Sequence, residues 1–386
     1  MTISLAEDTI SHEELESLSA WILAGNRLTK NGETLAFEAE FEEYMGVKHA
    51  IVTNSGSSSN LLMIYALKEA GYLRNNKVIA PAVSWVTTVS PLMQFGFDVS
   101  LCECDAQNLG LNIDHLEQLC KTERPALIIL VHVLGHANHM DEIQHICKKY
   151  DVLLIEDSCE SLGSELNGRK LGGLSTAGSF SFYYGHHIST VEGGMVVTND
   201  TDLYHVMLSL RSHGWSRDLP AEIRDGLMAE HGIDEFRNLY TFYYPGFNLR
   251  STDLQAFIGR SQLKKLDRIT VDRERNYNTY RAALGDFFCQ TSSTDPMSSF
   301  AYGTLIENRN EVFEHLSRND IECRPLICGN IGRHPFWAKR YGDPQLKNAD
   351  IVHDFGIYMP NHHNLSEEDV RFVCETFKQV ARPKHF

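Results

Sequence analysis

The sequence predicts an α/β protein in which a large, mostly parallel sheet is followed by a smaller α+β domain. Short apolar runs alternate with amphipathic helical patterns through the first 289 residues. This repetition of strand and helix favours parallel strands with helices on both faces of the sheet. Residues 290–299 are rich in Ser, Thr and Pro and indicate a linker. We therefore expect a large domain over 1–289 and a small domain over 290–386.

Each predicted element of the large domain follows from its apolar spacing. Two amphipathic helices are predicted at 12–24 and 33–45, because apolar residues recur every three or four positions. The predicted strands are short apolar runs at 49–53, 78–80, 99–103, 126–133 and 152–155. Helical patterns separate or follow these strands at 61–70, 113–120 and 140–150, and one long helical pattern runs from 254 to about 284.

The carboxyl-terminal region has its own pattern of strands and helices. Residues 300–306 and 321–326 are predicted strands, with a helix at 311–317 between them. A closing helix is predicted to about residue 381, with Ser366 as its N-cap because three acidic residues follow it in the first turn. These elements predict a small α+β domain.

Composition and charge exclude several classes of protein. The 386 residues are 42% hydrophobic and 22% charged, as in ordinary globular proteins, and the formal net charge is −16. This charge disfavours nonspecific binding to nucleic acid or to an anionic membrane surface. The amino-terminal residues lack the pattern of a signal peptide, and no apolar run has the length of a membrane span. The nine cysteines are scattered, without metal-site spacing. We expect a cytoplasmic protein with reduced thiols and no metal.

The turn after the first predicted strand is a candidate anion site. Residues 54–60 read NSGSSSN and are followed by an apolar helical pattern. The first backbone N–H groups of a helix have no intrahelical acceptor, and the helix dipole favours negative charge there. The alternative is a serine-rich N-cap that holds no ligand.

Residues 178–194, GSFSFYYGHHISTVEGG, contain the candidate reactive groups. Polar and apolar residues alternate over 179–183, which predicts a strand, and Gly185 ends it. His186 and His187 then fall on a turn, and a second turn follows at 192–194. Asp157 comes at the end of another predicted strand, where ligands of parallel sheets gather. For an isolated Asp, a helix N-cap or a surface carboxylate is the alternative.

This stretch resembles the active-site segment of the DegT/DnrJ/StrS sugar aminotransferases. The resemblance implies the aspartate-aminotransferase fold (fold type I) and pyridoxal 5′-phosphate as cofactor. The family pattern is Ser-Phe, three variable residues, Lys-Asn, and then an acidic residue with two glycines. Counting from Ser181 and Phe182 places His186 at the position of the lysine that forms the Schiff base, and His187 at the asparagine. One branch with histidine at the lysine position is the GDP-4-keto-6-deoxy-D-mannose 3-dehydratase of colitose synthesis.

The resemblance also assigns residues to the cofactor. Gly56 and Ser57 correspond to the turn that holds the phosphate, and Trp85 to the aromatic residue that stacks on the pyridine ring. Asp157 corresponds to the partner of the pyridine nitrogen, and Ser181 belongs to the motif itself. A lone Trp is more often a core residue, so the assignment of Trp85 depends on the resemblance.

Three further positions have less certain roles. Glu160 stands where the family commonly has Gln, near the ring hydroxyl, and a carboxylate there would change the local proton balance. Asn248 matches an Asn that reaches the cofactor phosphate of the neighbouring subunit, which implies a homodimer with shared active sites. His213 lies in a segment resembling the family's Arg-x-His-Gly and is either a substrate contact or a turn histidine.

A histidine at the lysine position changes the expected chemistry. Imidazole transfers protons near neutral pH but has no primary amine to condense with the aldehyde. The resemblance therefore implies a noncovalently held cofactor whose amine form, pyridoxamine 5′-phosphate, removes the 3-hydroxyl of GDP-4-keto-6-deoxy-D-mannose and releases ammonia, with L-glutamate regenerating the amine. His186 is the predicted base. The alternatives are an aminotransferase using another lysine, with Lys170 the nearest upstream, or an inactive cofactor-binding relative. The residues do not distinguish GDP from CDP or TDP.

Overall fold

The computed structural model describes residues 2–386, whose strands form three sheets. The strands are β1 (His49–Thr53), β2 (Lys77–Pro81), β3 (Asp98–Cys102), β4 (Leu127–Val131), β5 (Leu153–Asp157), β6 (Glu165–Leu166), β7 (Arg169–Lys170), β8 (Ala177–Ser181), β9 (Gly194–Thr198), β10 (Tyr302–Leu305), β11 (Arg324–Pro325) and β12 (Gly356–Met359). Strands β6 and β7 form a separate two-stranded ribbon.

Helices precede, separate and follow these strands. They are α1 (His12–Leu23), α2 (Gly32–Met45), α3 (Gly56–Glu69), α4 (Val86–Gln94), α5 (Ile113–Glu123), α6 (Met140–Tyr150), α7 (Thr201–Arg211), α8 (Ala221–His231), α9 (Glu235–Asn238), α10 (Asp253–Leu263), α11 (Leu266–Ala283), α12 (Arg309–Arg318), α13 (Pro335–Tyr341), α14 (Lys347–Phe355) and α15 (Glu367–Lys378). None of the described helices is long and apolar enough to cross a membrane.

The main sheet has seven strands in the order β1-β9-β8-β5-β4-β2-β3. All neighbouring pairs from β8 to β3 are parallel, and β9 is antiparallel to both of its neighbours. Strand β4 is buried along its whole length. Its alternate residues enter two different apolar clusters, Ile128 and Leu130 on one face, Leu127 and Ile129 on the other. Helices therefore cover both faces, and the predicted mostly parallel sheet is confirmed.

A second, antiparallel sheet lies in the carboxyl-terminal region, in the order β10-β12-β11. Apolar residues of α11, α12 and α15 pack with it in one cluster. Ser366 is the N-cap of α15, as predicted, and its hydroxyl accepts from the backbone N–H of Asp369 in a capping box. The Asp369 carboxylate accepts in return from the Ser366 backbone N–H.

The structure departs from the sequence predictions at several boundaries. The long helical pattern of 254–284 forms two helices, α10 and α11, with Lys264 and Lys265 between them. Helix α3 begins at Gly56, five residues earlier than expected, and β8 ends at Ser181 instead of continuing to residue 183. Residues 290–299 have neither helix nor strand, but four of them are buried, namely Gln290, Met297, Ser298 and Ser299. This segment is packed into the protein and is not an exposed linker, so the domain boundary at 289/290 stays a prediction.

The topology places the predicted site at one edge of the main sheet. Strands β4, β5 and β8 are parallel neighbours, so their carboxyl ends, Val131, Asp157 and Ser181, meet at this edge. Helix α3 begins beside the same edge, because Gly56 lies against Ser181. Ligands of open α/β sheets bind in this position.

Candidate active site

A cavity of about 450 Å³ opens at this edge of the sheet. Seven of the residues predicted for the site line it, which are Gly56, Ser57, Trp85, Asp157, Glu160, Ser181 and His186. The second sheet and the segments that flank its strands contribute Phe300, Ile327 and Tyr358. The cavity therefore lies between the two sheets and collects residues from distant parts of the chain.

The start of α3 has the features of an anion site. Ser55 is the N-cap and its hydroxyl accepts from the backbone N–H of Ser58. The N–H groups of Gly56 and Ser57 have no acceptor among residues 2–386. A Cβ atom on Gly56 would lie 2.4 Å from the Cβ of Ser181, so only glycine permits this close approach of helix and strand. Free donors at a helix amino terminus suit a phosphate.

Asp157 is held rigidly at the end of β5. Its Oδ2 accepts from Asn60 Nδ2 and from Thr88 Oγ1, each at 2.7 Å, and its Oδ1 accepts from the Cys159 N–H at 3.2 Å. Oδ1 thus keeps a lone pair for a further donor. Asn60 and Thr88 were not predicted. Asn60 lies in the second turn of α3 and Thr88 in the first turn of α4, and their position on the face toward Asp157 is the signal that could have found them.

His186 presents one free ring nitrogen to the cavity. Its Nδ1 lies 2.8 Å from the carbonyl oxygen of Cys159. A carbonyl only accepts, so the neutral ring carries its proton on Nδ1 and leaves Nε2 as the basic atom. The ring packs against Phe300, with the ring centroids 5.3 Å apart. The pKa of His186 is lowered to about 4, chiefly by burial and in smaller part by nearby Arg273, so the ring is neutral at pH 7.

The neighbouring His187 faces the interior. It is fully buried, and its Nε2 lies 2.9 Å from the carbonyl oxygen of Ser298. Burial holds its pKa well below the ordinary range. The structure therefore separates the two histidines, since His186 lines the cavity and His187 fastens the loop to residues 298–300.

Glu160 is the acidic counterpart of His186 in the cavity. Its Oε2 accepts from the backbone N–H of Leu134 at 3.0 Å. The pKa of Glu160 is raised to about 8, chiefly by burial and in smaller part by the charge of Asp157. The carboxyl group is therefore protonated at neutral pH, whereas His186 is unprotonated. Opposite shifts of two groups in one cavity are typical of acid–base sites.

Trp85 is 53% exposed and lines the cavity immediately before α4. It is not a core residue, and an exposed indole face is available for stacking. The amino-terminal strap, which we define as residues 3–9, forms another part of the wall through Leu5 and Ala6. Sequence analysis did not find the strap, because nothing in its local pattern indicates a distant partner.

Asn248 and His213 do not line this cavity in the single chain. Asn248 lies in a separate surface depression of about 500 Å³ whose lining includes Arg27, Lys30 and Arg217. His213 pairs through its backbone N–H with the carbonyl of Phe247, and its ring packs edge-on against Trp215. The predicted role of Asn248 therefore depends on a second subunit, and the assignments of both residues stay predictions.

No lysine lines the cavity among the residues that the structure describes. Lys170 lies in β7, where its Nζ is 2.8 Å from a carboxylate oxygen of Glu165 and 4.2 Å from the centroid of the Tyr44 ring. It cannot serve the site without breaking this pair. The same residues contain no group of three or more His, Cys, Asp or Glu arranged to hold a metal ion.

Comparison with known proteins places this geometry in a family. A family model described as the DegT/DnrJ/EryC1/StrS aminotransferase family matches residues 8–378. The chain belongs to this family, and its fold is that of the fold type I enzymes that use pyridoxal phosphate. The fold predicted from the resemblance is confirmed.

Several relatives in this family carry the name of one enzyme. The GDP-4-keto-6-deoxy-D-mannose 3-dehydratase of Yersinia pseudotuberculosis is 34% identical over 94% of this chain and 95% of its own. The enzyme of the same name from Escherichia coli O55:H7 is 32% identical over 97% of this chain and 99% of its own. A crystal structure of GDP-4-keto-6-deoxymannose-3-dehydratase with a trapped PLP-glutamate geminal diamine superposes with a TM-score of 0.89, at 30% identity, and covers 97% of this chain and 100% of its own.

Proposed function

We propose that the protein is a 3-dehydratase of a nucleotide-linked 4-keto-6-deoxy sugar that works with pyridoxal and pyridoxamine 5′-phosphate. The observation that carries the proposal is the free Nε2 of His186 in a cavity that no lysine of residues 2–386 lines. A site of this kind has a base for proton transfer and lacks the amine for covalent attachment of the cofactor.

The residues present fit the cofactor. The free N–H groups at Gly56 and Ser57 suit its phosphate, and the exposed face of Trp85 suits its ring. The Oδ1 atom of Asp157 suits the protonated ring nitrogen, since Oδ2 is already occupied by two donors. The cofactor supplies an electron sink that allows a proton and then a neighbouring hydroxyl to leave.

Side chains of the protein supply the other chemical functions of the site. His186 accepts the proton through Nε2, because Nδ1 is occupied by the Cys159 carbonyl. Asp157 keeps the ring nitrogen charged, which maintains the electron sink. Glu160, protonated at neutral pH, has a carboxyl O–H that can donate a hydrogen bond within the cavity. The apolar wall of Phe300, Ile327 and Leu5 limits access of water.

The relatives indicate the substrate. Two of them are named for GDP-4-keto-6-deoxy-D-mannose, and both cover more than nine-tenths of this chain. We infer that this sugar is the substrate and that L-glutamate regenerates the amine form, in line with the PLP-glutamate adduct held by the related crystal structure. The overall reaction removes the 3-hydroxyl and converts glutamate to 2-oxoglutarate and ammonia, so that atoms and electrons balance.

We also infer a homodimer with shared active sites. Asn248 is exposed and lies away from the cavity of its own subunit, as expected of a residue that serves a partner. Exposed aromatic side chains lie near it in sequence, among them Tyr240 and Phe242. Such a patch favours a protein contact. Equilibrium sedimentation of the parent and of an Asn248→Ala variant tests this inference, and both should be dimeric. A cofactor titration of the two proteins should show weaker binding to the variant.

The function is tested by a product assay. The protein is incubated with pyridoxal phosphate, glutamate and GDP-4-keto-6-deoxymannose, with the matching CDP and TDP sugars in parallel. We expect ammonia and 2-oxoglutarate in equal amounts and a sugar that has lost one oxygen. Amination of the sugar without release of ammonia would identify an aminotransferase, and absence of any product would identify an inactive relative.

Borohydride reduction in the presence of pyridoxal phosphate provides an independent check. The parent should gain no covalent cofactor on a lysine, and a His186→Lys variant should gain one. A stable lysine adduct in the parent would contradict the proposal. Because the cofactor is held without a covalent bond, the thermal stability of the parent should also rise with cofactor concentration.

A further inference from the structure

A buried arginine lies directly behind the loop of His186. Arg273 belongs to α11 and is only 3% exposed. Among residues 2–386 it forms no ion pair with a carboxylate, and burial alone lowers its pKa to about 9. The guanidinium is therefore charged at neutral pH although no opposite charge offsets it. Such a group is unfavourable for stability unless its donors are well used.

The Nη1 and Nη2 groups of Arg273 donate to backbone carbonyls beside the cavity, whereas its buried Nε has no partner among residues 2–386. Nη1 lies 3.2 Å from the carbonyl oxygen of Ser299 and 3.0 Å from that of Phe300, and it also donates to the carbonyl of Asn361. Nη2 lies 3.5 Å from the carbonyl oxygen of His186. One side chain thus joins the loop of the base to the segment that carries the aromatic ring packed against it.

We propose that Arg273 is a positioning residue for His186, holding the backbone of the base and the Phe300 wall in one fixed relation. The inference rests on the role of His186 proposed above. Because the Nδ1 contact with Cys159 allows only one orientation of the ring, a displaced backbone would turn Nε2 away from the reacting carbon. A misplacement of about 1 Å is enough to reduce a rate about 100-fold.

Electrostatics supports the same role. A positive charge near an imidazole disfavours its protonated form, and Arg273 contributes in this direction to the low pKa of His186, after burial. Asp157 acts in the opposite direction. The other titratable groups around the ring line the cavity or share its loop, and they are Cys159, Glu160, Tyr183, His187, Glu192 and Tyr358. Arg273 adds a positive charge beside these groups, so its removal should be visible in the titration of His186.

Arg275 offers a matched control on the same helix. It is partly exposed, pairs with Asp272 at 2.8 Å and donates to the carbonyl of Leu365. Among residues 2–386 it forms no hydrogen bond with the His186 loop. A change at Arg275 therefore reproduces the loss of an arginine from α11 without the proposed effect on the base.

The first experiment reads the base in the cofactor-free protein. NMR titration of labelled histidine, with a His186→Asn variant to assign the signal, follows the protonation of His186 in the parent and in R273Q, R273K and R275Q. We expect the pKa of His186 to rise in R273Q and to stay low in R273K and R275Q. An unchanged titration in R273Q would overturn the electrostatic part. This measurement needs no sugar, so it is independent of the proposed function.

The second experiment tests positioning and remains decisive if R273Q does not fold. R273K keeps the charge and loses the planar fork. We expect kcat of the dehydration to fall about tenfold or more in R273K, with KM for the sugar within about twofold of the parent and with R275Q unaffected. Equal kcat in R273K and the parent would overturn the proposal, as would an equal fall in R275Q.

Discussion

The Nδ1 atom of His186 lies 2.8 Å from the carbonyl oxygen of Cys159, two residues after Asp157. Both the carboxylate that faces the cofactor position and the carbonyl that selects the tautomer of the base therefore come from the end of β5. Any shift of this strand end would move the two groups together. The acid–base geometry of the site is thus set by one strand end, and the loop of residues 182–193 supplies the ring.

Replacement of His186 by Gln should remove the base and leave the cavity largely intact. We expect kcat to fall by about 10²- to 10⁴-fold, the usual contribution of a positioned base, with cofactor affinity nearly unchanged. Steady-state assays and a cofactor titration measure these values. His187→Gln is the control, because His187 is buried against Ser298 and should affect thermal stability more than kcat. A larger loss of kcat in His187→Gln would reverse the assignment of the two residues.

The pH dependence should report Glu160. Its pKa of about 8 means that the protonated form is present below pH 8 and is lost as the pH rises through that value. If the neutral acid is the active form, kcat/KM declines above about pH 8. Glu160→Gln carries a donor that does not ionise, so this decline should disappear between about pH 7 and 9. The same decline in the variant would show that another group titrates.

Gly56→Ala should weaken cofactor binding. The new Cβ would lie 2.4 Å from the Cβ of Ser181, so the start of α3 must move away from β8. We expect the Kd of the cofactor to rise about tenfold or more, because such a clash costs about 1–3 kcal/mol. Gly32 offers the control, since it begins another helix of the same length and has open space around its Cβ position. Fluorescence titration of both variants distinguishes the clash from a general effect of replacing glycine.

Acid should destabilise the protein through buried histidines. Burial lowers the pKa of His136 to about 3 in the folded state, whereas an unfolded histidine has a pKa of about 6.5. The unfolded state then binds more protons between these values, so the stability contribution is present above about pH 6.5 and is lost as the pH falls toward 3. Urea unfolding at several pH values should show a decrease in the free energy of unfolding from pH 6.5 to 4.5. His136→Gln should reduce this slope by up to about 1.4 kcal/mol per pH unit.

The sequence allowed prediction of those parts of the fold and site that are local in the chain. The strands that lead to Asp157 and carry Ser181, and the register of His186, follow from apolar runs and turn residues within about ten positions, although β8 ends two residues earlier and α3 begins five residues earlier than expected. The break between α10 and α11 was missed, because Lys264 and Lys265 are good helix formers and neither Gly nor Pro marks the change.

The rest of the site depends on contacts between distant segments. Phe300, Tyr358 and Leu5 reach the cavity from more than 100 residues away from His186, and no local pattern connects them. The burial of residues 297–299 also depends on distant contacts. The composition of residues 290–299 suggested a linker, whereas the backbone carbonyls of Ser298 and Ser299 accept hydrogen bonds from His187 and Arg273. Their carbonyls are used in tertiary contacts that composition does not reveal.

The amino-terminal strap has a practical consequence. Ile3 pairs with residues 320 and 322 beside the second sheet, Leu5 donates its N–H to Glu322, and Thr9 accepts from the N–H of Ser189 in the loop of the base. A fluorophore or purification tag joined at this end would lie next to residues that line the active-site cavity and would disturb their packing. Labels intended to leave turnover undisturbed therefore belong on the exposed surface of α8, which has no buried residue.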